Sequence, residues 1–75
     1  MTIIKVNNII IIIIGDYSYT LEHVIEEYFP TWRICIYHKE GGWLNHQYIG
    51  DCAARTAWHH FYHLVRRNEW WAHKQ

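Results

Sequence analysis

The sequence predicts a small α+β domain whose elements follow in the order strand, helix, hairpin, helix (βαββα). Three observations lead to this prediction: an unbroken isoleucine run, Ile9–Ile14, an apolar pattern of helical period over residues 21–29, and an alternating segment from Thr31 that turns at glycine. A chain of 75 residues has room for one modest core, because so small a domain buries only about 60% of its unfolded surface. We therefore expect one domain over residues 1–75.

The isoleucine run predicts a strand at the centre of the sheet. Ile9–Ile14 is β-branched throughout, which disfavours a helix and suits a strand that is covered on both faces. Residues 3–6 form another short β-type run, and Asn7 and Asn8 can supply the positive φ angles of a two-residue hairpin turn. The alternative is one long strand over residues 3–14, and the sequence leaves both open.

The next segment predicts an amphipathic helix. Gly15 and Asp16 break the strand, Ser18 or Thr20 can cap a helix, and Pro30 ends it. Apolar residues recur at i, i+3, i+4, i+7 and i+8, which is the period of one helix face. They are Leu21, Val24, Ile25, Tyr28 and Phe29.

The second half predicts a hairpin followed by a helix. Thr31–His38 alternates apolar and polar residues, glycines follow Glu40, and Trp43–Ile49 returns as a more polar strand. Asp51 is the expected cap of the last helix. The apolar stripe of that helix comprises Ala54, Ala57, Trp58, Phe61, Leu64 and Val65.

This order of elements is most of a ferredoxin-like pattern, which places both helices on one face of the sheet. The usual last strand is missing. If residues 3–6 fold back on Ile9–Ile14, they take the place of that strand and the order becomes ββαββα.

Charge and cysteine content limit the function classes. Seven Lys or Arg balance seven Asp or Glu, so the net charge is zero and no strong field attracts nucleic acid. Cys35 and Cys52 form no C-x-x-C motif, which is typical of reduced thiols in the cytoplasm. The run Ile9–Ile14 is too short to cross a bilayer.

Two constellations could carry chemistry, and we expect neither to do so. His59, His60 and His63 share a helix with arginines and have no carboxylate nearby in sequence, so we predict no metal. Cys52 at a helix start, with His46 before it, lacks a third orienting group for nucleophilic catalysis. We therefore predict no cofactor and no enzymatic activity.

The aromatic residues point to binding. Trp32, Trp58, Phe61, Tyr28 and Phe29 fit a core. Seven further aromatics exceed what the interior can hold, so some of them must lie on the surface: Tyr17, Tyr19, Tyr37, Tyr48, Tyr62, Trp70 and Trp71. Tyr, Trp and Arg are enriched at binding hot spots, and we expect the second face of the sheet to combine isoleucines with Tyr37 and Tyr48. The predicted partner-binding residues are Tyr37, Tyr48, Arg55, His59, His63, Arg66, Arg67, Trp70 and Trp71.

The leading functional hypothesis is a non-enzymatic protein-binding module, such as a phage- or mobile-element-type inhibitor that sterically blocks a host protein or nucleoprotein complex. A homodimer interface explains the surface aromatics equally well. The alternative from another class is a small nucleic-acid-binding protein that uses the basic last helix, with Arg55, Arg66 and Arg67 as phosphate contacts.

Overall fold

The fold is a five-stranded antiparallel sheet with a helix packed on one face. The computed structural model describes residues 1–25, 27–41 and 43–67. Neighbouring strands in the sheet are also neighbours in sequence, in the order β1-β2-β3-β4-β5, so the sheet is a meander. The elements are β1 (Thr2–Val6), β2 (Ile9–Ile14), β3 (Tyr17–His23), β4 (Thr31–His38), β5 (Trp43–Ile49) and α1 (Ala53–Arg66).

The predicted ferredoxin-like fold with two helices is wrong, because the segment expected to form the first helix is strand β3. Tyr17, Tyr19 and Leu21 alternate with smaller or polar residues at a period of two, and pairing on both sides with β2 and β4 satisfies the backbone. The later residues of the predicted apolar helix face lie in the connection between β3 and β4. There Ile25 is 67% exposed and Tyr28 is 93% exposed, so the expected core position of Tyr28 is also wrong.

Two tight turns build the first three strands. Val6 pairs with Ile9, so Asn7 and Asn8 form a two-residue hairpin turn, and Asn7 has the positive φ of 51° that such a turn requires. This excludes one long strand over residues 3–14. The next turn, at Gly15 and Asp16, joins β2 to β3, and Gly15 has a φ of 59°.

The core lies between α1 and the face of the sheet formed by alternate residues of β3 and β4. Tyr17 and Tyr19, two of the seven aromatics of which some were expected on the surface, are buried there. Burial and the neighbouring Tyr17 raise the pKa of Tyr19 to about 12, so its phenol stays neutral. The buried cluster comprises Tyr17, Tyr19, Leu21, Ile34, Ile36, Ala57 and Phe61.

The described elements do not cover the isoleucine strand β2 on both faces. Helix α1 packs against β3, β4 and β5, and all six residues of β2 are half-buried. Ile12 and Ile14 pack at the margin of the core, while their neighbours point to the other side of the sheet. Strand β2 is an inner strand, between β1 and β3. The expectation that both of its faces are covered is wrong for the described residues, because α1 lies on one face of the sheet, over β3, β4 and β5.

Helix α1 begins after Cys52, which is the N-cap residue and makes no side-chain capping hydrogen bond. The expected cap at Asp51 is wrong by one residue. Phe61 faces the core as predicted, whereas Trp58 is 44% exposed and lies against Trp32 at 6.3 Å between ring centroids. Among the described residues, no helix has the length and apolar character needed to cross a membrane.

Candidate functional site

The sheet face opposite α1, here called the open face, is not covered by any described element. Alternation along each strand places one residue in two on this face, and the pairing register aligns those residues across the sheet. From β1 to β5 the aligned residues include Ile4, Ile11, Thr20, Cys35 and Asn45.

One half of the open face is aliphatic. Its five side chains, here called the aliphatic patch, are exposed on β1 and half-buried on β2, and none of them carries a charge. Contiguous apolar surface of this kind marks interaction sites on soluble proteins. The aliphatic patch comprises Ile4, Val6, Ile9, Ile11 and Ile13.

The other half of the open face is polar. Arg33 forms an ion pair with Glu22 at 3.5 Å between Nη1 and Oε1, across paired positions of β3 and β4. Tyr37, a predicted partner-binding residue, lies at the end of this half and is 60% exposed. Burial raises the pKa of the Cys35 thiol, with Arg33 opposing the shift and Glu22 adding to it. A thiol held protonated is a poor nucleophile.

Strand β1 forms one edge of the sheet. The Asn8 carbonyl accepts a hydrogen bond from the His23 N–H at 3.0 Å, so the carbonyl of Asn8 points towards β3. The N–H and C=O groups of the next residue, Ile9, therefore point towards β1. Val6, which pairs with Ile9, therefore faces β2. By alternation, the N–H and C=O groups of Ile3 and Lys5 point away from the sheet, where no described strand pairs with them.

The outer surface of α1 is basic and aromatic. Its sequence contains no acidic residue, and Arg55 and Arg66 are exposed. Arg66 lies over the Tyr62 ring at 5.4 Å from the centroid. His59 and His63, one helical turn apart, lie with their Nε2 atoms 3.2 Å apart, so one imidazole donates a hydrogen bond to the other.

A second histidine contact joins α1 to β5. The rings of His46 and His60 lie 5.0 Å apart, and Tyr48 forms a hydrogen bond with Nδ1 of His60. Burial lowers the pKa of His60, and the neighbouring His46 and His63 lower it further. The arrangement favours a neutral His60 that accepts the hydrogen bond from the Tyr48 hydroxyl.

The predicted partner-binding residues do not form a single surface. Tyr37 lies on the open face, whereas the helix residues and Tyr48 lie on the opposite side of the sheet, where Tyr48 is half-buried. Trp70 and Trp71 are outside the described residues. The helix residues of the predicted set are Arg55, His59, His63 and Arg66, with Arg67 directly after them.

Sequence reasoning expected isoleucines on the second face of the sheet and residues 3–6 at its edge, but it placed Tyr48 on that face and did not include the apolar residues of β1. The available signal was a hairpin with aliphatic residues on both faces, formed by β1 and β2. Both faces of such a hairpin are covered only if a helix lies on each side of the sheet. The predicted ferredoxin-like fold places both helices on one face, so it already leaves the other face of this hairpin without a helix.

We expect the stability of the protein to fall below neutral pH in a way that depends on His60. Its folded-state pKa is below the ordinary value of 6.5, so the unfolded chain binds more protons between those two values. The contribution of His60 to the free energy of unfolding is therefore fully present above about pH 6.5. It is lost as the pH falls from there towards the folded-state pKa of His60. His60→Gln is expected to reduce the slope of the free energy of unfolding against pH, measured by urea denaturation.

The matched control is His38→Gln, which removes a histidine on β4 whose ring lies against Tyr17 instead of the α1 histidines. The change in slope for His60→Gln is expected to exceed the change for His38→Gln. Equal slopes for His60→Gln and the wild type would contradict the prediction.

We also expect that folding requires no bound metal. Among the described residues no group of three or more His, Cys, Asp or Glu side chains could hold an ion, and the paired imidazoles of His59 and His63 supply two donors only. Treatment with EDTA is expected to leave the melting temperature unchanged. A fall of several degrees that zinc reverses would show that metal binding contributes to folding.

The chain was compared with known proteins at the level of family, sequence and fold. Protein-family models, curated proteins and solved structures give no significant match to it.

Proposed function

We propose that this protein is a non-enzymatic protein-binding module that binds its partner through the open face. The observation that carries the proposal is the aliphatic patch, five uncharged side chains that no described element covers. Removal of apolar surface from water is the main driving force of protein association. The matching partner surface is therefore apolar and free of charge where it contacts the patch.

The surroundings of the patch support the same proposal. Protein interfaces combine an apolar centre with a polar rim that remains partly solvated. Here Ser18 and Thr20 lie next to the patch on β3, and Gln47 and Asn45 lie further out on β5. Tyr37 adds an exposed aromatic of the type that carries binding energy at hot spots.

The mode of action that we propose is occupation of a partner surface. A phage- or mobile-element-type inhibitor that sterically blocks a host protein or nucleoprotein complex needs a small chain with one good binding surface, and both features fit this chain. Catalysis is not needed for this action, and the raised pKa of the Cys35 thiol on the open face disfavours covalent chemistry there.

A nucleic-acid-binding function through α1 is the second candidate. The observation that favours it is a helix surface with exposed Arg55, Arg66 and Arg67 and no acidic residue along the helix. Phosphate contacts make affinity fall steeply with salt, whereas an apolar interface does not. Salt dependence therefore separates the two candidates.

The test starts with a photo-crosslinking amino acid at Tyr37 on the open face, in cells that contain the natural partner. The matched control carries the same amino acid at Tyr62, which is 56% exposed on α1. We expect a protein to be cross-linked from Tyr37 and not from Tyr62. With that protein purified, Tyr37→Ala is expected to weaken binding by about 30-fold at both low and high salt, which corresponds to about 2 kcal/mol.

Arg67→Ala is the second control, since an exposed arginine at an interface rim alters mainly the on-rate and the salt dependence. It is expected to matter at low salt only. Loss of binding in Arg67→Ala together with unchanged binding in Tyr37→Ala and a steep salt dependence would overturn the proposal in favour of nucleic acid.

A further inference from the structure

We propose that a second copy of this chain pairs with strand β1 in the antiparallel direction, so that the two sheets join at their β1 edges around a twofold axis. This inference goes beyond the proposed function, since it uses the backbone edge of β1 and not the open face. The argument uses the backbone of the edge, the register that it dictates and the side chains that then meet.

Within the part of the chain that the structure describes, the β1 edge has unpaired backbone groups and little protection. Ile3 and Lys5 direct their N–H and C=O groups away from β2, as derived above from the contact between Asn8 and His23. Natural sheets protect such edges with proline, bulges, charges or a covering element. Strand β1 contains no proline, pairs with β2 without a bulge and carries one charge, that of Lys5. All five of its residues are exposed.

The directions of these groups select the register. In an antiparallel pair, two opposite residues that face each other exchange both of their hydrogen bonds. A twofold axis at Ile4 sets Ile3 opposite the partner's Lys5, and Lys5 opposite the partner's Ile3. Both residues of each pair then use groups that point outwards, and strand β1 overlaps over its full length.

Neighbouring registers are less favourable. An axis at Lys5 would place Lys5 directly opposite the partner's Lys5, and like charges at opposite positions are destabilising. An axis at Ile3 would leave Val6 beyond the end of the partner's strand. The axis at Ile4 avoids both problems, because Lys5 lies over the partner's Ile3 and can extend its aliphatic stem along that side chain.

The side chains on the open face also fit this register. Ile4 meets the partner's Ile4 in a pair without mutual hydrogen bonds, where the two Cα atoms approach to about 4.5 Å. Thr2 meets the partner's Val6. The contact is uncharged on this face, and the net charge of zero adds no general repulsion between copies.

The geometry has a consequence for partner binding. A twofold axis perpendicular to the sheet keeps both open faces on one side and both α1 helices on the other. The two aliphatic patches then adjoin at Ile4 and form one apolar surface of twice the area. Self-pairing therefore uses the backbone edge and leaves the open face available to another protein.

Engineered cysteines test the register directly. In a background with Cys35→Ser and Cys52→Ser, Ile4→Cys is expected to give a disulfide-linked dimer under mild oxidation, because its Cα separation suits a disulfide. Thr2→Cys and Val6→Cys are each expected to remain uncross-linked alone, since neither lies opposite its own copy. A mixture of the two is expected to cross-link. Tyr62→Cys, on the exposed surface of α1, reports random collision.

A proline variant tests the role of the edge hydrogen bonds without a thiol. Lys5→Pro removes an N–H that points away from β2, so the hairpin is expected to keep its ladder and the melting temperature to stay within a few degrees. The dimer dissociation constant from light scattering is expected to rise about tenfold or more, since each copy loses a donor. Lys5→Thr, which keeps the N–H and removes the same charge, is expected to retain the dimer.

The outcomes separate this inference from the proposed function. β1 pairing is overturned if Ile4→Cys, and the mixture of Thr2→Cys with Val6→Cys, cross-link no faster than Tyr62→Cys. It is also overturned if Lys5→Pro leaves the dimer intact. A monomer that still cross-links a partner protein from Tyr37 overturns β1 pairing alone and leaves the proposed function standing. A dimer with the predicted cross-links but without a protein cross-linked from Tyr37 supports β1 pairing and overturns the proposed function.

Discussion

Phe61→Ala is expected to lower the free energy of unfolding by about 3–5 kcal/mol. Phe61 is 3% exposed and belongs to the cluster through which α1 contacts the sheet. Its truncation removes a buried ring and leaves a cavity between helix and strands. A domain of this length has a total stability of roughly 4–11 kcal/mol, so the variant loses much or all of it. Urea denaturation followed by circular dichroism measures the change.

The neighbouring residue provides the control. Tyr62 is 56% exposed on the outer surface of α1, and Tyr62→Ala is expected to change stability by about 0.5 kcal/mol or less. A Phe61→Ala variant as stable as Tyr62→Ala would show that α1 does not cover the sheet through this face.

Leu21→Asp is expected to destabilise the protein by about 4 kcal/mol or more, whereas Ile25→Asp is expected to change stability by about 0.5 kcal/mol or less. Leu21 is 1% exposed in β3, and a carboxylate there would be buried against Ile34 without a partner. Ile25 lies in the connection after β3 and is 67% exposed. Melting temperatures and urea midpoints of the two variants give the comparison.

This pair distinguishes the strand from the helix that the apolar period predicted. In a helix over residues 21–29, Leu21 and Ile25 would lie one turn apart on the same buried face, and both substitutions would be strongly destabilising. Similar large losses in both variants would therefore contradict the strand assignment and support the helix.

Strong local patterns predicted the second half of the fold correctly. Thr31–His38 alternates as observed in β4, glycine follows it, and Trp43–Ile49 pairs with it as β5. The apolar stripe of the last helix likewise places Ala57 and Phe61 in the core. In these segments one period dominates, so local preference and tertiary packing agree.

The candidate site was predicted only in part. Tyr37 is exposed on the open face, and its role in binding stays a prediction. Isoleucines on the second sheet face were expected, but the extent of the aliphatic patch over β1 and β2 was not. Whether those residues are covered depends on what packs against them, and residues far away in the chain decide that. Arg55 and Arg66 are exposed as a helical period implies, but the sheet separates them from Tyr37.

The sequence by itself determined that Ile9–Ile14 is a strand, that β4 and β5 form a hairpin and that an amphipathic helix follows, because β-branching, alternation and helical period act over a few neighbouring residues. Only the tertiary structure decided the state of residues 17–29, where periods of two and of 3.6 coexist. The neighbouring strands decide the outcome there: without β3, the backbone N–H and C=O groups on one side of β2 and of β4 would lack hydrogen-bond partners, and β3 between them supplies those partners. With that segment in the sheet, α1 covers one face over β3, β4 and β5. The open face and the β1 edge follow from this, and they carry the proposed binding function.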